Sequence, residues 1–464
     1  MLLKTFEIEN LRAFGSKQVV DFAQPSEGKS GSGLTVIVGP NNSGKSTILR
    51  SIRNLITSDP VFVAGIDDRR SKALVGLRLV GTDDAAAPFD VSIEQRADTA
   101  HLNKLGLPSG RAVKLTYIPS RRPWQDKFVA QGNLTAENYE ISYFQNLRQN
   151  EFYVDQQFGN AIFQIHTDAE KRERYTQILI ELEPSITEWR TDNNGQDYIA
   201  FKSISGDYHR TGLVGEGVNN LFRIAYSLFE FKSGDVLLLD EPELSLHPQA
   251  QKRLHAALRS RSQRGQIVVS THSPYFVSWS DIQAGAKIYR TSLVENDGAT
   301  IRTIEPKTIK RITAVAQEKK NRKLYDVVAK EIFFSRGCLF VEGQEDAHII
   351  AIYIEENAKT NIEIFGYGSG GASHMGSWLS LANELGIKAA ALFDNDEAGQ
   401  CAYAEAVTQF KTNPKILLLI LPTADIRDKP DKNKEGIFDE AWKLKPAFET
   451  AWNTLLDKAT AFLK

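Results

Sequence analysis

Nine consecutive residues, Gly39-Pro40-Asn41-Asn42-Ser43-Gly44-Lys45-Ser46-Thr47, constrain this chain more than any others. An apolar run, Leu34 to Val38, precedes them, and Ile48, Leu49, Ile52, Leu55 and Ile56 follow at helical spacing. Strand, glycine-bearing turn and helix in that order predict a phosphate-binding loop. The glycines let the backbone wrap so that successive N–H groups face a phosphate, and the helix N-terminus adds a favourable field. The expected ligand is ATP with Mg²⁺, bound by Asn41, Asn42, Gly44, Lys45, Ser46 and Thr47. Lys45 reaches the β- and γ-phosphates, and the Ser46 hydroxyl ligates the ion.

A second apolar run, Val236 to Leu239, ends in Asp240-Glu241. Asp240 is placed to hold Mg²⁺ through water, and Glu241 to polarise an attacking water as a general base. Pro242 stops the strand ladder and turns the chain. Ser270-Thr271-His272-Ser273 follows a third apolar run, which brings the His272 imidazole within reach of a γ-phosphate. Strand signals that alternate with helical stretches predict a parallel α/β sheet.

From Arg302 to Arg336 the chain carries ten Lys or Arg against four Asp or Glu. A second α/β pattern begins beyond it, with apolar runs at Cys338–Val341, Ile362–Phe365, Ala389–Phe393 and Ile416–Leu421. The first of these ends in Glu342-Gly343 and the third in Asp394-Asn395-Asp396. Open α/β sheets place their sites at the carboxyl ends of parallel strands. Three carboxylates converging there repel one another unless a cation neutralises them, and Mg²⁺ prefers oxygen ligands.

In order, the phosphate loop, Gly215-Glu216-Gly217, Leu237–Pro248 and Ser270–Ser273 resemble ABC-type ATPases of the SMC-like branch, as does the opening Ile8–Phe14. That resemblance implies that Arg12 lies near the nucleotide, that Ser245-Leu246-His247 forms the D-loop, and that His272 is the switch histidine. It also implies head dimers that sandwich two nucleotides. Val214 stands where such signatures usually carry serine, so the contact across the dimer would rest on backbone N–H groups or Thr211. Slow or regulated hydrolysis is the expectation.

The pairing of strand-Glu-Gly with strand-Asp-x-Asp resembles the Toprim domain of topoisomerases, primases and certain nucleases. Gly366 to Gly371 would be its glycine-bearing turn. Together the two halves resemble the OLD (overcoming lysogenisation defect) family of ATP-dependent nucleases, from Ile8 to about Leu421. The fold implied is α/β: an ABC/SMC-like P-loop ATPase head over 1–310 with a helical insertion at about 125–200, a basic linker over 311–336, and a Toprim, Rossmann-like α/β domain over 337–464. The activity implied is ATP hydrolysis with Mg²⁺-dependent DNA cleavage in anti-phage defence, Mn²⁺ being an alternative ion. Glu342, Asp394 and Asp396 would be catalytic beside Glu241. Four residues after Glu342, where relatives often carry a second Glu, stands Asp346 with Glu345 adjacent, and either would complete a second metal site.

Composition bounds the partners. The net charge is −2, so any DNA or RNA surface is local, with Lys319-Lys320-Asn321-Arg322-Lys323 and Arg121-Arg122-Pro123-Trp124 as candidates. Two cysteines are too few for a disulfide framework. No apolar run approaches the ~20 residues that span a bilayer, and a cytoplasmic homodimer or higher homo-oligomer is expected, with an accessory defence protein as a further partner. A rival class is a regulatory ATPase that senses an invader and holds or releases a separate toxic effector, its Toprim domain inert.

Overall fold

A computed structural model describes residues 1–57, 74–83, 86–96, 99–106, 114–120, 158–193, 197–204, 206–210, 216–318, 330–357, 362–366 and 368–464. The first half is built on a six-stranded sheet in the order Gly298–Thr303, Lys287–Val294, Leu34–Val38, Gln266–Thr271, Val236–Asp240, Leu115–Ile118. Its pairs are parallel, except for the antiparallel pair at the Gly298–Thr303 edge. Alternate residues of these strands enter different cores. Val36, Val38, Leu237, Leu239, Ile267 and Val269 pack with the helices Ala169–Leu182, Glu216–Glu230 and Pro248–Arg261. Ile37, Val236, Leu238 and Val268 pack with the helix Lys45–Thr57 and a second, antiparallel sheet. A strand covered on both faces is mostly apolar, which is why these runs read as largely hydrophobic sequence with polar residues mainly at their ends.

The stretch expected as a helical insertion is helical only in part. Residues 158–167 and Ala169–Leu182 are helix, but Ile186–Asn193, Asp197–Ser203 and Tyr208–Arg210 form a three-stranded antiparallel sheet. Trp189 sits opposite Phe201 across that sheet, and both rings are buried. The Asn194-Gly195 pair, followed by Ile199 and Phe201 in alternation, carries that hairpin signal in the sequence. Residues 121–157, including Arg121-Arg122-Pro123-Trp124, lie outside the described residues.

The basic stretch is likewise more structured than a linker. Pro306–Glu318 is a helix, and Glu331–Phe333 is a 3₁₀ turn that buries Ile332 and Phe333. Residues 319–323 lie outside the described residues. The Phe333 ring lies 5.8 Å from that of Trp279, and one continuous hydrophobic core joins this region to the last domain. There the strands Gly337–Val341, Lys388–Phe393 and Ile416–Ile420 form a parallel sheet. The run Ile362–Phe365 contributes only a bridge from Ile364 to Leu339. Helices cover both faces, with Trp378 on one and Trp452 on the other. Among the described residues no helix is long and apolar enough to cross a membrane.

Candidate functional site

The phosphate loop leaves the centre of the six-stranded sheet. Left-handed backbone at Asn42 (φ 63°) and Gly44 (φ 94°) curls it, and a side chain at Gly44 would strike the ring of Phe14. That contact seats the turn containing Arg12 (φ 51°) against the loop. Asn41 and Asn42 are exposed at its crest, whereas Lys45 and Thr47 are buried beneath it. Lys45 Nζ donates to Gly39 O at 3.1 Å and Pro40 O at 3.0 Å, and lies 2.7 Å from His272 Nε2. Burial pushes its pKa below the usual lysine range, while Glu241, Asp240 and Glu243 pull it back up.

Asp240, fully buried at the end of its strand, accepts from Ser46 Oγ at 2.9 Å and from Ser270 Oγ. Glu241 takes left-handed backbone (φ 47°) and faces His272 Nε2 across 3.3 Å. The loop, Asp240, Glu241 and His272 therefore meet, as their spacing predicts. The juxtaposed Ser46 hydroxyl and Asp240 carboxylate are oxygen donors of the kind a divalent cation takes. Glu243 is a residue the sequence reading missed: its Oε1 accepts the His272 amide at 2.6 Å, and burial raises its pKa. Gly217 abuts the carbonyl of Ser245, so the helix Glu216–Glu230 opens against the D-loop segment. Thr211 and Val214 lie outside the described residues.

In the second domain, Glu342 and Asp394 leave adjacent parallel strands, and Glu342 Oε1 accepts the Asp394 amide at 2.9 Å. Both carboxyls are buried. Burial, helped by Asp396 and Asp346, pushes Glu342 up to about 7 against the Asp394 amide and Lys434. Burial together with Asp346, Glu342, Asp425 and Asp396 pushes Asp394 up to about 9. Asp346 opens the helix Gln344–Glu356 and accepts the Gly343 amide at 2.7 Å, with its pKa raised chiefly by burial. Asp396 caps the helix Glu397–Phe410, accepting from Gly399 N at 2.8 Å and Lys434 Nζ at 2.5 Å. Burial opposes those two bonds, yet the net direction for Asp396 is downward.

The glycine turn closes on this cluster as expected. Gly371 N donates to Glu342 O at 2.8 Å, and Gly368 sits against the Gly343 carbonyl too closely for a side chain. Glu345 turns away to Arg427 at 2.6 Å, so Asp346 is the acidic residue of that pair inside the cluster. Sequence reading also missed Asp425, Lys429 and Lys434. Asp425 is buried, accepts from Lys429 Nζ at 2.7 Å, and lies 3.7 Å from Lys434 Nζ.

Among the described residues, no three His, Cys, Asp or Glu side chains stand ready to hold a metal ion, so Glu342, Asp346, Asp394 and Asp396 are not a finished coordination shell. Asp346 and Asp396 spend oxygens on backbone amides, and Asp396 also on Lys434. The charge still fits a divalent cation. Acids pushed up by burial and by neighbouring carboxylates gain most from one, and carboxylate oxygens are its preferred donors.

The family model described as "AAA domain, putative AbiEii toxin, Type IV TA system" matches residues 34–278, more than half of the 464-residue chain. The OLD-like TOPRIM domain, "Overcoming lysogenization defect protein-like", matches residues 333–396. The chain is 28% identical over 146 residues to the OLD nuclease of Thermus scotoductus, covering 31% of this chain and 27% of that protein. It is 27% identical over 178 residues to the endonuclease GajA of Bacillus cereus strain HuB5-5, covering 32% of this chain and 25% of that protein. It thus spans about a quarter of the length of these curated relatives. Among solved structures, the SMC head domain from Thermotoga maritima is similar, with 18% identity and a TM-score of 0.39 over 66% of this chain and 100% of that one. The chain belongs to the AAA-domain family whose model spans its first half, and joins that ATPase domain to an OLD-like TOPRIM domain.

Proposed function

We propose that this protein is an ATP-binding and ATP-hydrolysing, Mg²⁺-dependent DNA endonuclease of the OLD type, acting in the cytoplasm in anti-phage defence. One observation carries the reading: two acids at the ends of adjacent parallel strands, Glu342 and Asp394, are held together by a 2.9 Å bond and both pushed toward neutrality. A merely structural sheet edge has no need of two buried carboxyl groups side by side, each costly to ionise there without a cation.

In the ATPase domain, Asn41, Asn42, Gly44 and Thr47 supply the loop, and Lys45 swings from the Gly39 and Pro40 carbonyls to the phosphates. Ser46 and Asp240 would hold the nucleotide's ion. Glu241 orients the attacking water, His272 contacts the γ-phosphate, and Arg12 lies at the edge of the site. In the TOPRIM domain, Glu342, Asp394, Asp396 and Asp346 would hold Mg²⁺ or Mn²⁺, joined by Asp425. A divalent ion there supplies a water of lowered pKa and neutralises charge on the cleaved phosphate. Lys434 offsets the acidic charge beside Asp396. Head-to-head homodimers, or larger homo-oligomers, would admit DNA to this site, with an accessory defence protein as partner.

The rival reading, a regulatory ATPase with an inert TOPRIM domain, draws on the 2.5 Å contact of Lys434 with Asp396, which neutralises part of the cluster without a metal. One assay separates them. Purified protein is incubated with supercoiled plasmid, and separately with single-stranded RNA, in Mg²⁺ or Mn²⁺. Cleavage should fall by about three orders of magnitude or more in Asp394→Ala, roughly 4 kcal/mol of transition-state stabilisation. Cutting that survives the substitution removes this site, and no cutting in any metal or nucleotide favours the rival.

A further inference from the structure

We propose that Arg290 and Thr291 form a relay from the phosphate loop to the two strands that carry Glu342 and Asp394, making these residues the positioning device through which nucleotide sets the geometry of the carboxylates. The inference rests on the two-centre function above and adds its regulation.

The strand Lys287–Val294 lies beside the phosphate-loop strand, with Arg290 opposite Val38 in the register. Thr291 is fully buried there: its Oγ1 donates to Val38 O at 3.1 Å and sits 2.5 Å from Ser43 Oγ. It also fills the space beside Gly39, where an added Cβ would come within 2.2 Å of Thr291 Oγ1. One threonine thus touches the strand end, the first glycine and the buried Ser43 of the loop.

Successive side chains on a strand point to opposite faces, so Arg290 turns the other way. Its buried guanidinium donates from Nε to Phe333 O at 3.2 Å, from Nη2 to Ser335 O at 2.6 Å and from Nη1 to Leu385 O at 3.1 Å. Ser335 leads into Gly337–Val341, the strand that ends at Glu342. Leu385 closes the helix Met375–Glu384 and leads into Lys388–Phe393, the strand that ends at Asp394. These two strands pair directly, Gly337 with Lys388. A single rigid fork therefore grips the entry points of both carboxylate-bearing strands.

A buried cation bonded only to carbonyls is a costly way to glue two domains, since apolar packing does that more cheaply. It does suit a joint whose bonds are geometrically exacting, because arginine's planar fork tolerates little displacement. The loop supplies the displacement. Lys45 now holds the carbonyls of Gly39 and Pro40, and must release them to reach a phosphate. The Gly39 peptide is then free to shift against Thr291, and the strand passes that shift to Arg290.

Arg290→Lys keeps the charge and removes the fork. Affinity for the non-hydrolysable analogue AMP-PNP should stay within about twofold of wild type. The ratio of plasmid-cleavage rates with and without AMP-PNP should lie in the roughly 5- to 150-fold range of coupled sites in the wild type, and within about twofold of one in the variant. Hydrogen exchange gives an activity-independent reading: AMP-PNP should change protection in 337–341 and 388–393 of the wild type, and not in Arg290→Lys or Thr291→Val. A merely structural anchor would lower Tm without altering either ratio or exchange response. Absence of wild-type cleavage sinks the nuclease reading while the exchange result still decides the relay. A variant that keeps the wild-type response, or a wild type with no exchange response, overturns it. Should Arg290→Lys fail to fold, Thr291→Val carries the same two measurements.

Discussion

The two candidate centres solve opposite electrostatic problems. The phosphate loop awaits an anion, and its own cation, Lys45, is parked on the Gly39 and Pro40 carbonyls while Asp240 is satisfied by the hydroxyls of Ser46 and Ser270. The TOPRIM cluster awaits a cation: burial and neighbouring carboxylates hold Asp394 at about 9, while Asp396 is paired to Lys434 and Asp425 to Lys429. A site made from backbone amides can be complete without its ligand, because amides keep their direction. A site made from like charges stays unfinished until the counter-ion arrives.

That difference is open to attack. If Glu241 is the group that orients the hydrolytic water, Glu241→Gln should cut steady-state ATP hydrolysis by roughly 10²- to 10⁴-fold, as read by phosphate release. Bound ATP should persist and drive the heads into a dimer measurable by light scattering. A monomer with bound ATP would count against the sandwiched-head arrangement, and an unchanged hydrolysis rate would count against Glu241 itself.

Lys45→Ala should weaken ATP binding by about a hundredfold, roughly 3 kcal/mol for the loss of charge-assisted bonds to phosphate, measured by titration calorimetry. Metal-dependent plasmid cleavage without nucleotide should persist, since Lys45 makes no contact with the carboxylates, at a level shifted toward that of the nucleotide-bound wild type because the Gly39 and Pro40 carbonyls are released. Equal loss of both activities would mean that the two centres are not separable.

How far the chain discloses these centres follows from the same contrast. The nucleotide site was legible because its parts are contiguous words at strand ends: Gly39 to Thr47, Asp240-Glu241 and His272. Glu342, Asp394 and Asp396 were legible for the same reason, each closing an apolar run. Asp425, Lys429 and Lys434 were not, because they arrive from short strands and turns after residue 421 whose local pattern has no period. Glu243 was hidden in a motif already explained by its neighbours, and its bond to the His272 amide exists only in three dimensions. The hairpin over 186–203 is weakly legible because its apolar pattern is broken: Ile186 and Trp189 stand three apart across a register shift and only Ile199 and Phe201 alternate, so tertiary burial decides. The extent of the interdomain core was equally illegible, since Trp279 and Phe333 meet across a long sequence separation.

The smallest effect tests the claim that the TOPRIM cluster is electrostatically unfinished. An aspartate in an unfolded chain ionises near 4, whereas buried Asp394 holds its proton to about 9. Between those values the folded state binds a proton that the unfolded state has released, so stability falls as pH rises through that window. Glu342 acts in the same direction over a narrower span, up to about 7. Metal-free protein should therefore lose Tm between pH 5 and 9, and Asp394→Asn, which has no charge to bury, should lose less. By pH 9 the variant should be the more stable by ~2 kcal/mol, a difference of a few degrees, read by differential scanning calorimetry in EDTA. Adding Mg²⁺ or Mn²⁺ should recover the wild type at high pH and leave the variant almost unmoved, because the ion binds the form that the proton vacates. Identical pH slopes for the two proteins would show that Asp394 is already compensated, and the contrast between a finished cradle and an unfinished cluster would collapse.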